Sequence, residues 1–170
     1  MQGADSFTIA VDSDHHGDPN LLKQSQSGLI VLLNGVPVMW RSNVQPRTSI
    51  SPAMAEVYAL SEGARDARYL GWVGEEMGLG VTWPMVLQVD SEAARSFQGD
   101  TCPKSKLRGC FDLREKWVEE LRNWNQISTV HVQGTENMAD MFTKCLKTGD
   151  FIRARKRVLD YQDQYFFKGD

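Results

Sequence analysis

The sequence predicts an α/β domain, a mixed five-stranded sheet with helices on its faces. Three observations predict it. First, three strand-like runs open the chain, FTIAVD, GLIVLL and VPVMWR, joined by a polar loop and a tight turn, so they should be antiparallel neighbours. Second, two later runs, MVLQVD and ISTVHV, are separated from them and from each other by helical patterns, so they should run parallel to the first strand. Third, acids fall at four interpretable places. Asp12 and Asp90 end apolar runs, Glu56 lies in the second turn of a long helical segment, and Asp140 follows the last strand. Acids that end parallel strands gather at one edge of a sheet, where α/β sheets bind ligands.

Residues 1–6 read as a loose lead-in, and the first strand is FTIAVD. The polar, turn-rich SDHHGDPNLLKQSQS that follows reads as a loop, including the pair His15-His16. In GLIVLL-NG-VPVMWR, Asn34-Gly35 between apolar runs predicts a type I′ hairpin. Pro37 cannot donate a ladder hydrogen bond, which makes the second arm an edge strand.

Ser51 followed by Pro52 predicts a helix start, N-cap then N1. The helix should run to Gly78 or Gly80. Ala53, Val57, Leu60, Ala64, Ala67, Gly71 and Gly74 recur at spacings of four and three, a continuous face of small and apolar residues suited to close packing on a sheet. Glu56 lies one position off that face, at the border between core and surface.

MVLQVD is the fourth strand, and SEAARSF predicts a short helix after it. DLREKWVEELRNW is amphipathic, with Trp117, Val118, Leu121 and Trp124 on one side and charge on the other. Asp112 with Glu115 has the spacing of a capping box, and the helix can also begin earlier, near Ser105. Trp72, Trp117 and Trp124 read as core side chains rather than stacking platforms. ISTVHV is the fifth strand, a helix carrying Asp140 is expected after it, and FIRARKRVLDY predicts one more short helix.

A chain of 170 residues suits one domain with a sizeable core. No apolar run approaches the roughly 18 residues that span a bilayer, and the N-terminus lacks a signal-peptide pattern. Cys102, Cys110 and Cys145 form no CxxC pair, so they read as thiols of a reducing compartment rather than zinc ligands. Net charge is −3, yet residues 104–157 carry +5 and the remainder −8. That division suits a surface that grips phosphates beside a centre that holds metal.

Several stretches together resemble the ribonuclease H domain that ends the Pol polyprotein of copia-type LTR retrotransposons. They are VDSDHHGDPN, SQSGLIVLLNGVPVMWRS, SISPAMAEVYALSEGARDARYL, VDSEAA, KSKLRGCFDLREKWV and VHVQGTENMADMFTKCL, with the FIRARKRVL tail. The resemblance spans most of residues 7–159 and implies the ribonuclease H-like fold with sheet order 3-2-1-4-5. It divides the chain into a lead-in (1–6), the domain (7–149) and a helical tail (150–170). It also implies hydrolysis of the RNA strand in RNA/DNA hybrids by two Mg²⁺ or Mn²⁺ ions.

The positions matching the family's metal-binding and catalytic acids are Asp12, Glu56, Asp90 and Asp140, the four already selected from the pattern. Asp14 competes with Asp12, but Asp12 directly ends the apolar run. Mg²⁺ prefers oxygen ligands and keeps several waters, so a few carboxylates suffice. For the substrate, Lys104, Lys106, Arg108, Arg114 and Lys116 are positioned to contact phosphates, Ser91 from a helix N-terminus, and Arg41 with Trp40 on the DNA strand.

The expected partners are an RNA/DNA hybrid and the reverse transcriptase of the same polyprotein, with no membrane and a monomeric isolated domain. The expected setting is intracellular, in the cytoplasm or in virus-like particles. The chain departs from the family pattern at His15, at Ser91-Glu92 and at Cys110. Gln133-Gly134-Thr135-Glu136 lacks the loop His of the cellular enzymes, a loss that copia-type domains commonly share. Two alternatives therefore stand beside the nuclease: a module of the same fold that binds hybrid without turnover, and an integrase-like or junction-resolving nuclease. Glu56 on the first long helix argues against the latter.

Overall fold

Alternating apolar residues build the sheet from its centre outward. In this computed structural model, which describes residues 5–15, 24–46, 48–90 and 113–159, β1 (Phe7–Asp14) lies between β2 (Gln26–Leu33) and β4 (Met85–Val89). β3 (Val36–Val44) forms one edge and β5 (Ile127–His131) the other, so the order is β3-β2-β1-β4-β5. The first three strands are antiparallel, and β4 and β5 run parallel to β1. This is the predicted mixed sheet.

Asn34 and Gly35 both have positive φ (51° and 83°), the backbone a type I′ turn needs. Pro37 sits on the edge strand, and the register slips between Val31 and Leu32, a bulge that twists the edge.

Helix α1 (Pro52–Glu76) begins as read: the Ser51 hydroxyl accepts from the Met54 amide at 3.3 Å, with Pro52 in the first turn. It ends in a Schellman motif. Gly78 takes a positive φ (77°), its amide donates to Glu75 O, and the Leu79 amide donates to Gly74 O. The small face packs closely. A Cβ on Gly63 would lie 2.5 Å from Val11 Cγ2, so the helix rests directly on β1. Helix α2 (Leu113–Asn123) adds Val118 and Leu121 to the same layer.

Alternation along β1 divides the core. Ile9 and Val11 join Leu29, Leu60, Leu87 and Leu121 beneath α1 and α2. Ala10 faces the opposite side with Ile30, Leu32, Met138, Ala139 and Val158, the last from α3 (Thr148–Leu159). Among the described residues no helix is long and apolar enough to cross a membrane.

Three expectations need correction. Asp140 is not on an α-helix; it opens a 3₁₀ turn, Asp140–Phe142, after an earlier one at Gly134–Glu136. Hydrogen bonds from Ser42 to Phe142 O and from Asn137 to Val11 O tie this segment down across the sheet. Trp117 packs against the core, but Trp72 and Trp124 are 45% and 59% exposed. Arg68 stacks over the Trp72 ring at 4.2 Å, covering one face of it. Finally, β1 continues to Asp14 against β2, so Asp12 does not end the strand. It stands where the pairing with β4 gives out. The SEAARSF helix and the Asp112–Glu115 capping box lie outside what is described.

Candidate metal centre

The register of the central strands brings two acids level. Ile9 pairs with Leu87 and Ala10 with Gln88, so two to three residues further on Asp12 and Asp90 emerge side by side. Val132 donates its amide to Val89 O at 2.9 Å and holds β5 against β4 just before Asp90. Carboxylate oxygens of Asp12, Asp90 and Asp140 all lie within 4.8 Å of one another. Glu56 is outside that triad but lines the same cleft with Asp12, Ser13 and Asp90, approaching from α1. The structure thus gathers the four acids selected from the sequence, three tightly and one across a cleft.

Asp12 is the buried member, 5% exposed. Burial pushes its carboxyl up to about 7, and the neighbouring charges of Asp90 and Asp140 push the same way. The hydrogen bond donated by the Thr143 hydroxyl and the charge of Lys144 pull it down. Lys144 ion-pairs with Asp140 and lies 3.8 Å from Asp12 Oδ2. Burial pushes the Lys144 ammonium down, but Asp140, Asp12 and Asp90 outweigh it and hold it above its ordinary value.

Residues that sequence reasoning missed hold Asp140 in place. Buried Asn137 donates from Nδ2 to Val11 O at 2.9 Å and accepts from the Ala139 amide at 3.0 Å. Ser42 on β3 donates to Phe142 O at 2.6 Å. Gly28 pairs with Asp12 across β1 and β2, and a Cβ there would lie 2.7 Å from Thr143 Cγ2 and 2.8 Å from Ala139 O. Glycine at that position lets the Asp140 segment lie flat on the sheet. A Cβ on Gly134 would come within 3.1 Å of Asp90 Oδ2, so this loop residue leaves space for the carboxylate.

The base of α1, and with it Glu56, is fixed by Gln45. This fully buried amide donates to Ser27 Oγ (2.9 Å) and Ala55 O (3.0 Å) and accepts from Ser49 Oγ (2.8 Å). The NVQPRTS stretch contains the signal, a polar residue between turn formers ahead of a helix cap, but its burial is not legible from the sequence.

The strand order, the parallel β4 and β5 against an antiparallel hairpin, and the covering helix match solved ribonucleases H. LC11-RNase H1 in complex with an RNA/DNA hybrid superposes with a TM-score of 0.60 at 18% identity, covering 81% of this chain and 94% of that one. This chain has the ribonuclease H fold. LC11-RNase H1, isolated from compost by a metagenomic approach, also matches in a second structure, with a TM-score of 0.51 at 19% identity over 93% of this chain and 96% of that one. The N-terminal RNase H domain of Rv2228c from Mycobacterium tuberculosis gives 0.51 at 15% identity, over 89% and 98%.

By sequence the chain is similar to the Retrovirus-related Pol polyprotein from transposon TNT 1-94 of Nicotiana tabacum, 26% identical over 147 residues. That stretch is 86% of this chain but 11% of the polyprotein, so the chain spans about a tenth of its relative's length. No family model matches the chain. The retrotransposon ribonuclease H resemblance read from the motifs therefore holds in fold and in sequence.

Within this ribonuclease H frame the substrate candidates are dispersed. Arg41 reaches across from β3 to Asp66 on α1 at 2.6 Å, with Glu62 at 4.0 Å. Trp40 beside it is 63% exposed. The Arg114 guanidinium lies 4.0 Å over the Tyr58 ring. Arg114 and Lys116 line a groove of about 610 Å³ between α1 and α2, with Arg65, Glu62 and Glu120. Ser91, Lys104, Lys106 and Arg108 lie outside the described residues.

The donor set fits hard divalent cations. It offers carboxylate oxygens only, clustered so that they repel one another unless positive charge lies between them.

Proposed function

We propose that this chain is a metal-dependent endonuclease that hydrolyses the RNA strand of RNA/DNA hybrids during retrotransposon reverse transcription. The observation that carries the proposal is the convergence of Asp12, Asp90 and Asp140 within 4.8 Å at the carboxyl end of the central strands of a ribonuclease H fold. Asp12, Asp90, Asp140 and Glu56 would hold two Mg²⁺ or Mn²⁺ ions. Such a pair supplies Lewis acidity at the scissile phosphate and a water acidic enough to attack it at neutral pH.

The protein's own part is placement. Thr143 orients Asp12, and Asn137 ties the Asp140 turn to β1, by direct hydrogen bonds, so these two carboxylates are placed before substrate arrives. The groove bearing Arg65, Arg114 and Lys116 offers positive charge to a nucleic-acid backbone. An A-form-like hybrid would be recognised there through shape and 2′-hydroxyls rather than sequence. Because the chain spans only a fraction of the polyprotein it resembles, hybrid affinity would be shared with the reverse transcriptase it accompanies, inside the cell.

Purified protein incubated with end-labelled RNA/DNA hybrid and Mg²⁺ or Mn²⁺ should cleave the RNA strand only. Asp90→Asn should bring cleavage to background while leaving the fold intact by circular dichroism. Tight binding of hybrid without cleavage would support the alternative, a repurposed module without turnover. Cutting of duplex DNA would overturn both.

A further inference from the structure

Among the described residues, Lys144 is the side chain in the centre whose charge the proposed chemistry does not use. It sits four residues after Asp140, and its amide donates to Asp140 O at 3.2 Å. That turn aims the ammonium at the Asp140 carboxylate, with Asp12 Oδ2 at 3.8 Å. The side chain is 40% exposed, so its stem emerges at the rim and the ammonium has a path to water. Lys144 does not line the cleft formed by Asp12, Glu56 and Asp90.

We infer that Lys144 is a tethered cation that neutralises the Asp12–Asp140 side of the cluster and competes with a divalent ion for it. The inference rests on the reading of the cluster as a divalent-cation site. An ammonium and a dication cannot share the same two carboxylates without strong repulsion. Lys144 must therefore swing toward solvent before Asp12 and Asp140 can accept an ion together. Lys144 thereby raises the concentration at which that pair takes up an ion. In this arrangement a single lysine keeps Asp12 and Asp140 partnered whenever divalent ions are scarce.

Binding of Mn²⁺ alone, followed by calorimetry and by the electron paramagnetic resonance of the free ion at constant pH, tests this without any turnover. Wild-type protein should bind Mn²⁺ measurably. Lys144→Met should tighten Mn²⁺ binding about tenfold, the scale expected when one adjacent like charge is removed. In EDTA the same variant should melt below wild type, and Mn²⁺ should close that difference. Lys144→Arg keeps the charge and should retain the wild-type isotherm, which provides a folded comparator if Lys144→Met is too unstable to titrate. In that case an Arg variant whose binding tightens would also count against the inference. Unchanged isotherms in Lys144→Met, with wild type binding Mn²⁺, would overturn the competition and leave the metal site standing. Absence of Mn²⁺ binding in wild type and variant alike would overturn the metal reading itself.

Discussion

At the scale of single residues, the centre stores unfavourable charge in the Asp12 carboxylate. Native Asp12 holds its proton up to about pH 7, against an ordinary value of 3.8. Between those values the native state binds more protons than the unfolded chain, so metal-free protein should lose stability as pH rises from about 4 to about 7. Urea titrations across that range in EDTA will measure the slope, and Asp12→Asn should flatten it. The same substitution should raise the melting temperature of metal-free protein at pH 7.5 by several degrees, since about 1 kcal/mol corresponds to roughly 2–4 °C at this size. A fall in melting temperature would mean that Thr143 and Lys144 already compensate the charge. Asp12 was legible from the sequence because an acid closing an apolar run has few structural uses. Thr143, Asn137 and Lys144 were not, because a polar residue in a polar segment reads as solvated until the chain folds back and buries it.

The elements carry a different constraint, close approach. Gly28 allows the segment from Asn137 to Thr143 to lie on β2, where a Cβ would meet the Ala139 carbonyl at 2.8 Å. Backbone cannot rotate away, so Gly28→Ala should cost about 1–3 kcal/mol. It should also displace Asp140 and so weaken Mn²⁺ binding more than a surface substitution of equal stability cost. Gln45→Leu would leave Ser27 Oγ, Ser49 Oγ and Ala55 O short of a partner at the base of α1. A loss of about 1–3 kcal/mol in denaturant melts is expected. The hairpin, the Ser51 cap and the small face of α1 were readable because turn chemistry and period-3.6 spacing are local. The 3₁₀ turn bearing Asp140 was not. Its conformation is set by hydrogen bonds to Val11, Asp12 and Ser42, residues about a hundred or more positions earlier.

For the whole molecule, a cation held by the acids would make folding and cation binding one equilibrium. Ions that bind only the native cluster should stabilise it by about 2.7 kcal/mol at a hundredfold excess over Kd. Calorimetry in millimolar Mg²⁺ should therefore show a melting temperature several degrees above that in EDTA, and no shift would argue against an intact centre. What the sequence by itself determined was the list of strands, their parallel or antiparallel sense, the long helix and the choice of four acids that the fold then brings near one another. Those follow from periodicity, turn residues and strand-end position, or from motif resemblance. Only the tertiary structure decided how the acids meet. The β1–β4 register levels Asp12 with Asp90, Gly28 admits the turn that brings Asp140, and Lys144 comes to rest between Asp140 and Asp12. Each of these is a contact between segments far apart in the chain, where the deciding quantity is available space and the local sequence carries no measure of it.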